Sequence, residues 1–179
     1  DVYTFKFSYT NDKEATVSFA HTFSNDRVTA KINLYKVDKE TGKAVPQGDA
    51  TLKGAVYGLY AREDIVHPDG ATGTIYKAGE QVASLTTDDK GQASVKGLYL
   101  GKYYIKEITP STGYLADTEE HDLVCSYEGD MTAEVKRECT SSEQVIKQPF
   151  QIIKAANNGK TDADLLSGAG FTVYLKSSL

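Results

Sequence analysis
The stretch INLYKVDKETGK, from Ile32 to Lys43, decides how this chain is read. Its first half alternates. In an extended strand successive side chains point to opposite faces, so Ile32, Leu34 and Lys36 share one face, and that apolar face ends in a lysine. Short alternating runs of this kind recur along the chain, bounded by Gly, Asp and Asn, while no helical periodicity persists beyond a few residues. The pattern predicts an all-β protein.

The 179 residues suffice for one full domain and a remainder. A net charge of -5 provides no basic face for nucleic acid, which excludes that partner. No stretch is apolar for long enough to span a membrane, and no charged segment with an apolar core opens the chain. Asp1 in place of Met suggests a processed chain or a fragment.

An internal repeat sets the organisation. Ser8–Lys36 aligns without a gap on Ser126–Lys154, with identities at Ser8, Tyr9, Asp12, Ala15, Val17 and Lys36. The match resumes where LKGAVYGLYA (Leu52–Ala61) resembles LSGAGFTVYL (Leu166–Leu175). A repeat of this length is one β domain per copy. The expected division is the last strands of a preceding module at 1–28, a complete module at 29–147, and the first strands of a following module at 148–179.

Within the complete module the sequence predicts strands near 31–37, 54–61, 74–77, 80–86, 92–97, 102–108, 119–127, 131–138 and 144–153. TTDDKGQA (Thr86–Ala93) reads as a hairpin turn, and EDIVHPDGATG (Glu63–Gly73) as a long polar loop. Residues 119–127 and 131–138 read as a hairpin around Glu128-Gly129-Asp130. That register sets Cys125 opposite about Ala133 rather than Cys139, so it indicates no disulfide. Two cysteines without further ligands make no zinc site, and no cofactor is implied.

The polar ends of the apolar stripes carry the chemistry. Tyr103, Ile105 and Glu107 share a face, as do Phe150, Ile152 and Lys154 in the next copy and Val17, Phe19, Phe23 and Asn25 in the preceding one. A buried lysine tends toward the neutral amine, which is a nucleophile. A glutamate in the same apolar setting can carry and relay a proton. An amide or carboxyl carbon beside them is an electrophile, so this trio can close a side-chain amide. Two blander readings stand beside it: Lys36 and Glu107 form a buried ion pair, or Lys36 snorkels to the sheet edge.

The segments KINLYKVDKETGK, LKGAVYGLYA, TTDDKGQASVKGLYLGKYYIKEITPSTGY and FQIIKAANNGKTDADLLSGAGFTVYL, in this order, resemble the Cna protein B-type repeats (prealbumin-like, SpaA-type) of Gram-positive surface adhesins and pilins. YYIKEITPSTGY is similar to the pilin E-box, with Glu107, Pro110, Gly113 and Tyr114 at its expected places. The resemblance implies an Ig-like, prealbumin-like β-sandwich. It also implies an intramolecular isopeptide bond made by the first-strand lysine, the E-box glutamate as proton shuttle and a last-strand Asn or Asp. Lys36 and Glu107 match the first two. The acceptor position, occupied by Asn25 in the preceding copy, falls on Glu143, which is neither Asn nor Asp. Asn25 and Lys154 are the counterparts in the partial modules.

The implied role is a stalk segment of a cell-wall-attached, extracellular adhesin or pilus. Its partners would be neighbouring modules of the same or like chains. The alternative is an adhesin module that binds a host matrix protein or a glycan, through the 63–73 loop or an aromatic face that includes Tyr57, Tyr60, Tyr99 or Tyr104. A turnover enzyme is disfavoured: His21, His67 and His121 lie in no nucleophile motif, and no phosphate loop is present. The junction QVIKQPFQIIK (Gln144–Lys154) reads as a strand running nearly straight into the next module.

Overall fold
In a computed structural model, which describes residues 2–6, 8, 12–13, 18, 20–154, 168 and 170–174, two sheets enclose one apolar interior. Strands β1 (Thr29–Asp38), β6 (Gln92–Leu98) and β9 (Glu134–Glu143) form the first sheet, in the order β6-β1-β9. Strands β2 (Val56–Ala61), β5 (Gln81–Thr86), β7 (Gly101–Thr109) and β8 (Glu120–Cys125) form the second, in the order β5-β2-β7-β8. A small antiparallel pair, β3 (Ile65–Val66) and β4 (Thr74–Tyr76), lies within the segment read as a polar loop and just beyond it. No described residue is helical.

Alternation builds the sandwich. Every second residue of β1 is buried, from Ala30 through Ile32 and Leu34 to Lys36 and Asp38. Tyr57 and Leu59 of β2, Tyr103 and Ile105 of β7, and Val135 and Cys139 of β9 complete the interior. Each large side chain buried there contributes on the order of 1.5–3 kcal/mol of transfer free energy.

The central strand decides the mechanics. β1 pairs antiparallel with β6 and parallel with β9, and the parallel register runs without a slip from Thr29 opposite Glu134 to Asp38 opposite Glu143. The first strand therefore begins at one end of the sandwich, and the last strand finishes at the other. Gly91 pins the turn before β6 against β1. Its carbonyl accepts the Lys36 N–H at 2.7 Å, and its φ of +71° suits glycine. A Cβ there would lie 2.6 Å from the Lys36 carbonyl oxygen, so no other residue fits without displacing β1.

Several expectations are corrected. Residues 119–127 and 131–138 do not form a hairpin, because β8 pairs with β7 in one sheet and β9 with β1 in the other. The turn is real, with Thr132 donating to the Gly129 carbonyl, but it crosses between sheets. Cys125 and Cys139 are both buried free thiols. The Asp88–Gly91 turn likewise carries the chain from β5 in one sheet to β6 in the other. Alternation shows which side chains point inward and is silent on which sheet a strand joins. No strand covers 144–153. β9 ends at Glu143, and only an isolated bridge between Val145 and Tyr114 follows.

The described residues before β1 form no strand. They hold an aromatic cluster in which Tyr3 stacks on His21 with centroids 3.7 Å apart, while Phe5 and Phe23 meet them edge-on. Asn25 is exposed, and Val17 and Phe19 lie outside the described residues. Ile146–Leu179 forms a second unit, in which Lys154 lies in no strand.

Candidate functional site
The polar ends of three inward stripes meet near one end of the sandwich. Lys36 comes from β1, Glu143 and Ser141 from β9, and Glu107 and Tyr57 from the facing sheet, where they are cross-strand partners. Ser141 lies opposite Lys36 in the parallel ladder, and Glu143 lies two residues further on the same face. The longer glutamate side chain reaches back to the lysine. Lys36 Nζ contacts Glu143 Oε2 and sits 3.5 Å from Glu107 Oε1, and the lysine and both glutamate side chains are almost wholly excluded from solvent. The lysine therefore does not snorkel to an edge.

Hydroxyls surround the other oxygen of Glu143. Tyr57 donates to Glu143 Oε1 at 2.5 Å, and Ser141 Oγ lies 3.2 Å from the same atom. Glu107 is anchored through Oε2, which accepts the Asp117 N–H at 2.7 Å. Asp117 belongs to the segment between β7 and β8, and its Oδ2 accepts from Ser141 Oγ and meets His121 Nε2, each at 2.7 Å. An open pocket of about 430 Å³ borders Asp117, His121 and Glu143 and connects this cluster to solvent.

Burial and neighbouring charges act on Lys36 in opposite directions. Burial pushes the Lys36 amine below its ordinary value against the opposing pull of Glu107 and Asp117. Burial likewise drives the Tyr57 hydroxyl up, so it stays a proton donor. Two carboxyl groups, Glu107 and Glu143, meet the one amine, and the charge of Asp117 acts on it from nearby.

Asp38, the next inward residue of β1, anchors the neighbouring layer. Its carboxylate accepts from the N–H groups of Glu40 and Thr41, the amide of Gln47 and the hydroxyl of Tyr114. Burial alone would raise its pKa, but the bonds from Thr41, Gln47 and Tyr114 outweigh that and hold the carboxyl below its ordinary range. A depressed folded-state pKa stabilises fully above the unfolded value of about 3.9 and is lost as pH falls through the folded value. Asp38→Asn should therefore be less stable than the parent at neutral pH and lose less of its stability on acidification below about pH 4, as thermal melts across that range would read.

The structure thus brings together Lys36, Glu107 and Glu143. It leaves Asn25 exposed, and Lys154 belongs to the second unit. Sequence reading missed Tyr57, Ser141, Asp117, His121 and Asp38 as members of this site. The available signal was that both inward stripes, Lys36-Asp38 and Ser141-Glu143, stay polar over two successive positions. Of the tyrosines offered as a binding face, Tyr57 is core. Tyr60 and Tyr104 point outward, stacked on each other at 5.0 Å, and the Arg62 guanidinium covers Tyr104 at 3.9 Å.

A family model described as SpaA, a prealbumin-like fold domain, matches residues 30–138, from the start of β1 into β9. The chain belongs to the SpaA prealbumin-like fold family. No curated protein matches. Among solved structures, this SpaA-type chain is similar to the minor pilin of Streptococcus agalactiae, at 21% identity over 71% of this chain and 49% of that one, with a TM-score of 0.44. It is similar to the Bacillus anthracis TIE protein, at 24% identity over 66% of this chain and 18% of that one, TM-score 0.43. It is also similar to the full-length major pilin SpaD of Corynebacterium diphtheriae, at 13% identity over 64% and 30%, TM-score 0.42. The chain spans less than half the length of each of these structures.

Proposed function
We propose that this SpaA-type module is a structural stalk segment of a Gram-positive cell-surface adhesin or pilus, closed by an amide between Lys36 and Glu143. The observation that carries this reading is the contact of a buried Lys36 with the Glu143 carboxyl across the ladder that joins the first and last strands. In the proposed reaction the neutral Lys36 amine attacks the Glu143 carboxyl carbon. Glu107 takes a proton from the nitrogen and returns it to the departing oxygen, aided by the Tyr57 hydroxyl. A C–N bond forms, a C–O bond breaks, and one water leaves through the pocket beside Asp117 and His121. Burial and fixed geometry supply the rate, and the chain acts once on itself.

The bond suits a load-bearing role. Tension applied through β1 at one end and beyond β9 at the other shears the two parallel strands. With Lys36 joined to Glu143 the load passes along β1, across the amide and out of the module, and the 107 positions from Lys36 to Glu143 are never drawn out. The chain serves on the cell surface, linked to neighbouring modules of the same or like chains.

Single-molecule extension between handles placed before β1 and after β9 tests this. The parent module should release no unfolding step, whereas Lys36→Met should release one approaching roughly 350 Å, the extended length of the freed segment less its folded span. A full-length step in the parent would refute the load path.

A further inference from the structure
We infer that Asp117, held by His121, orients the Ser141 hydroxyl so that Glu143 is offered to Lys36 as a neutral acid. The inference rests on the condensation proposed above and assigns positioning residues to it.

Asp117 Oδ2 lies 2.7 Å from both Ser141 Oγ and His121 Nε2, and Oδ1 accepts the Glu119 N–H at 3.0 Å. Burial works to raise the pKa of this carboxyl, but donors from His121, Glu119 and Ser141 outweigh it and hold Asp117 ionised. An ionised carboxylate only accepts, so His121 presents an Nε2–H, and Ser141 spends its single hydrogen on Asp117. Ser141 Oγ then meets Glu143 Oε1, 3.2 Å away, with a lone pair. Two facing lone pairs repel unless Oε1 carries a proton; as a hydroxyl, Oε1 accepts the Tyr57 hydrogen at 2.5 Å and gives its own to Ser141 Oγ, so the pair Ser141 and Tyr57 accommodates the Glu143 acid.

That form is the one the chemistry needs. An ionised carboxylate resists attack by an amine. A neutral acid and a neutral amine condense with no net proton taken from solvent: Nζ bonds to Cδ, one Nζ proton passes to Oε1, and Oε1 departs as water. Ser141 touches the reacting carboxyl, whereas Asp117 and His121 act through it. His121 is partly exposed beside the open pocket, so the chain of bonds runs from the buried carboxyl to the surface.

The test follows two events in full chains recovered unfolded in denaturant and diluted to refold. Circular dichroism reports folding, and intact mass reports loss of one water. The parent should fold and then lose one water. Asp117→Asn and Ser141→Ala should fold yet condense about tenfold or more slowly, Ser141→Thr should recover most of the rate because it keeps the hydroxyl, and His121→Gln should slow condensation without impairing folding. Should Asp117→Asn fold poorly, the less buried His121→Gln carries the test. In the Glu107→Gln chain, infrared spectroscopy should show the carbonyl stretch of a neutral Glu143 acid, and adding His121→Gln should weaken it. A parent that condenses alongside folded variants that match its rate, with an unchanged infrared band, would overturn the inference and leave the Lys36–Glu143 bond standing. A parent that folds and keeps its full mass would overturn the bond and this inference together.

Discussion

Lys36→Met is expected to cost the module about 4–5 kcal/mol of unfolding free energy, the largest stability effect of any single substitution proposed for this chain. Methionine keeps the length and apolar character of the lysine stem, which is wholly buried, so no cavity opens there. What disappears is the nucleophile. In the chain-entropy account, a cross-link spanning 107 positions restrains the unfolded ensemble by that amount, as a disulfide of equal span would. Glu107 and Glu143 keep their other partners, the Asp117 N–H and the Tyr57 hydroxyl. For a module of this size the loss corresponds to a midpoint lower by roughly 15–20 °C. A variant within about 1 kcal/mol of the parent would mean that no covalent restraint exists.

Glu107→Gln should slow the loss of water after folding by about 10²–10⁴-fold, the range expected for a positioned acid–base group. Glutamine matches glutamate in shape, and its carbonyl oxygen can still accept the Asp117 N–H that now bonds Glu107 Oε2 at 2.7 Å. The segment between β7 and β8 should keep its place, and the amine and carboxyl should stay in contact. Only the proton carrier is removed. Timed samples of refolding chain analysed by mass would separate this from a folding defect, and an unchanged rate would remove Glu107 from the reaction. The pair of variants also separates two contributions to stability. Uncondensed Glu107→Gln retains the Lys36–Glu143 contact, and Lys36→Met does not.

Much of this was legible in the sequence because the information is local. The alternation of Ile32, Leu34 and Lys36 and of Tyr103, Ile105 and Glu107 specifies which side chains point inward, and the structure buries all six. The internal repeat pointed to Glu143 as the residue in the acceptor position, and Glu143 is where the Lys36 amine lies. The sheet to which each strand belongs was not legible. Glu128-Gly129-Asp130 and Asp88–Gly91 are sound turns, yet each connects opposite sheets, and turn chemistry is the same in either case. The supporting residues were hidden for related reasons. Tyr57 reads as an ordinary core aromatic until its hydroxyl is found on Glu143, 86 positions away along the chain. Asp117 and His121 sit on and beside a connecting segment whose place depends on the whole fold. The predicted strand over 144–153 fails because β9 ends at Glu143, where its register with β1 runs out.

The most direct test of the account is the intact mass of the purified chain under denaturing, reducing conditions, followed by proteolysis and sequencing of any joined peptides. The account predicts a mass lower by one water and a branched peptide joining Lys36 to Glu143. A mass equal to that of the full sequence would contradict it and leave Lys36, Glu107 and Glu143 as a buried, non-covalent cluster.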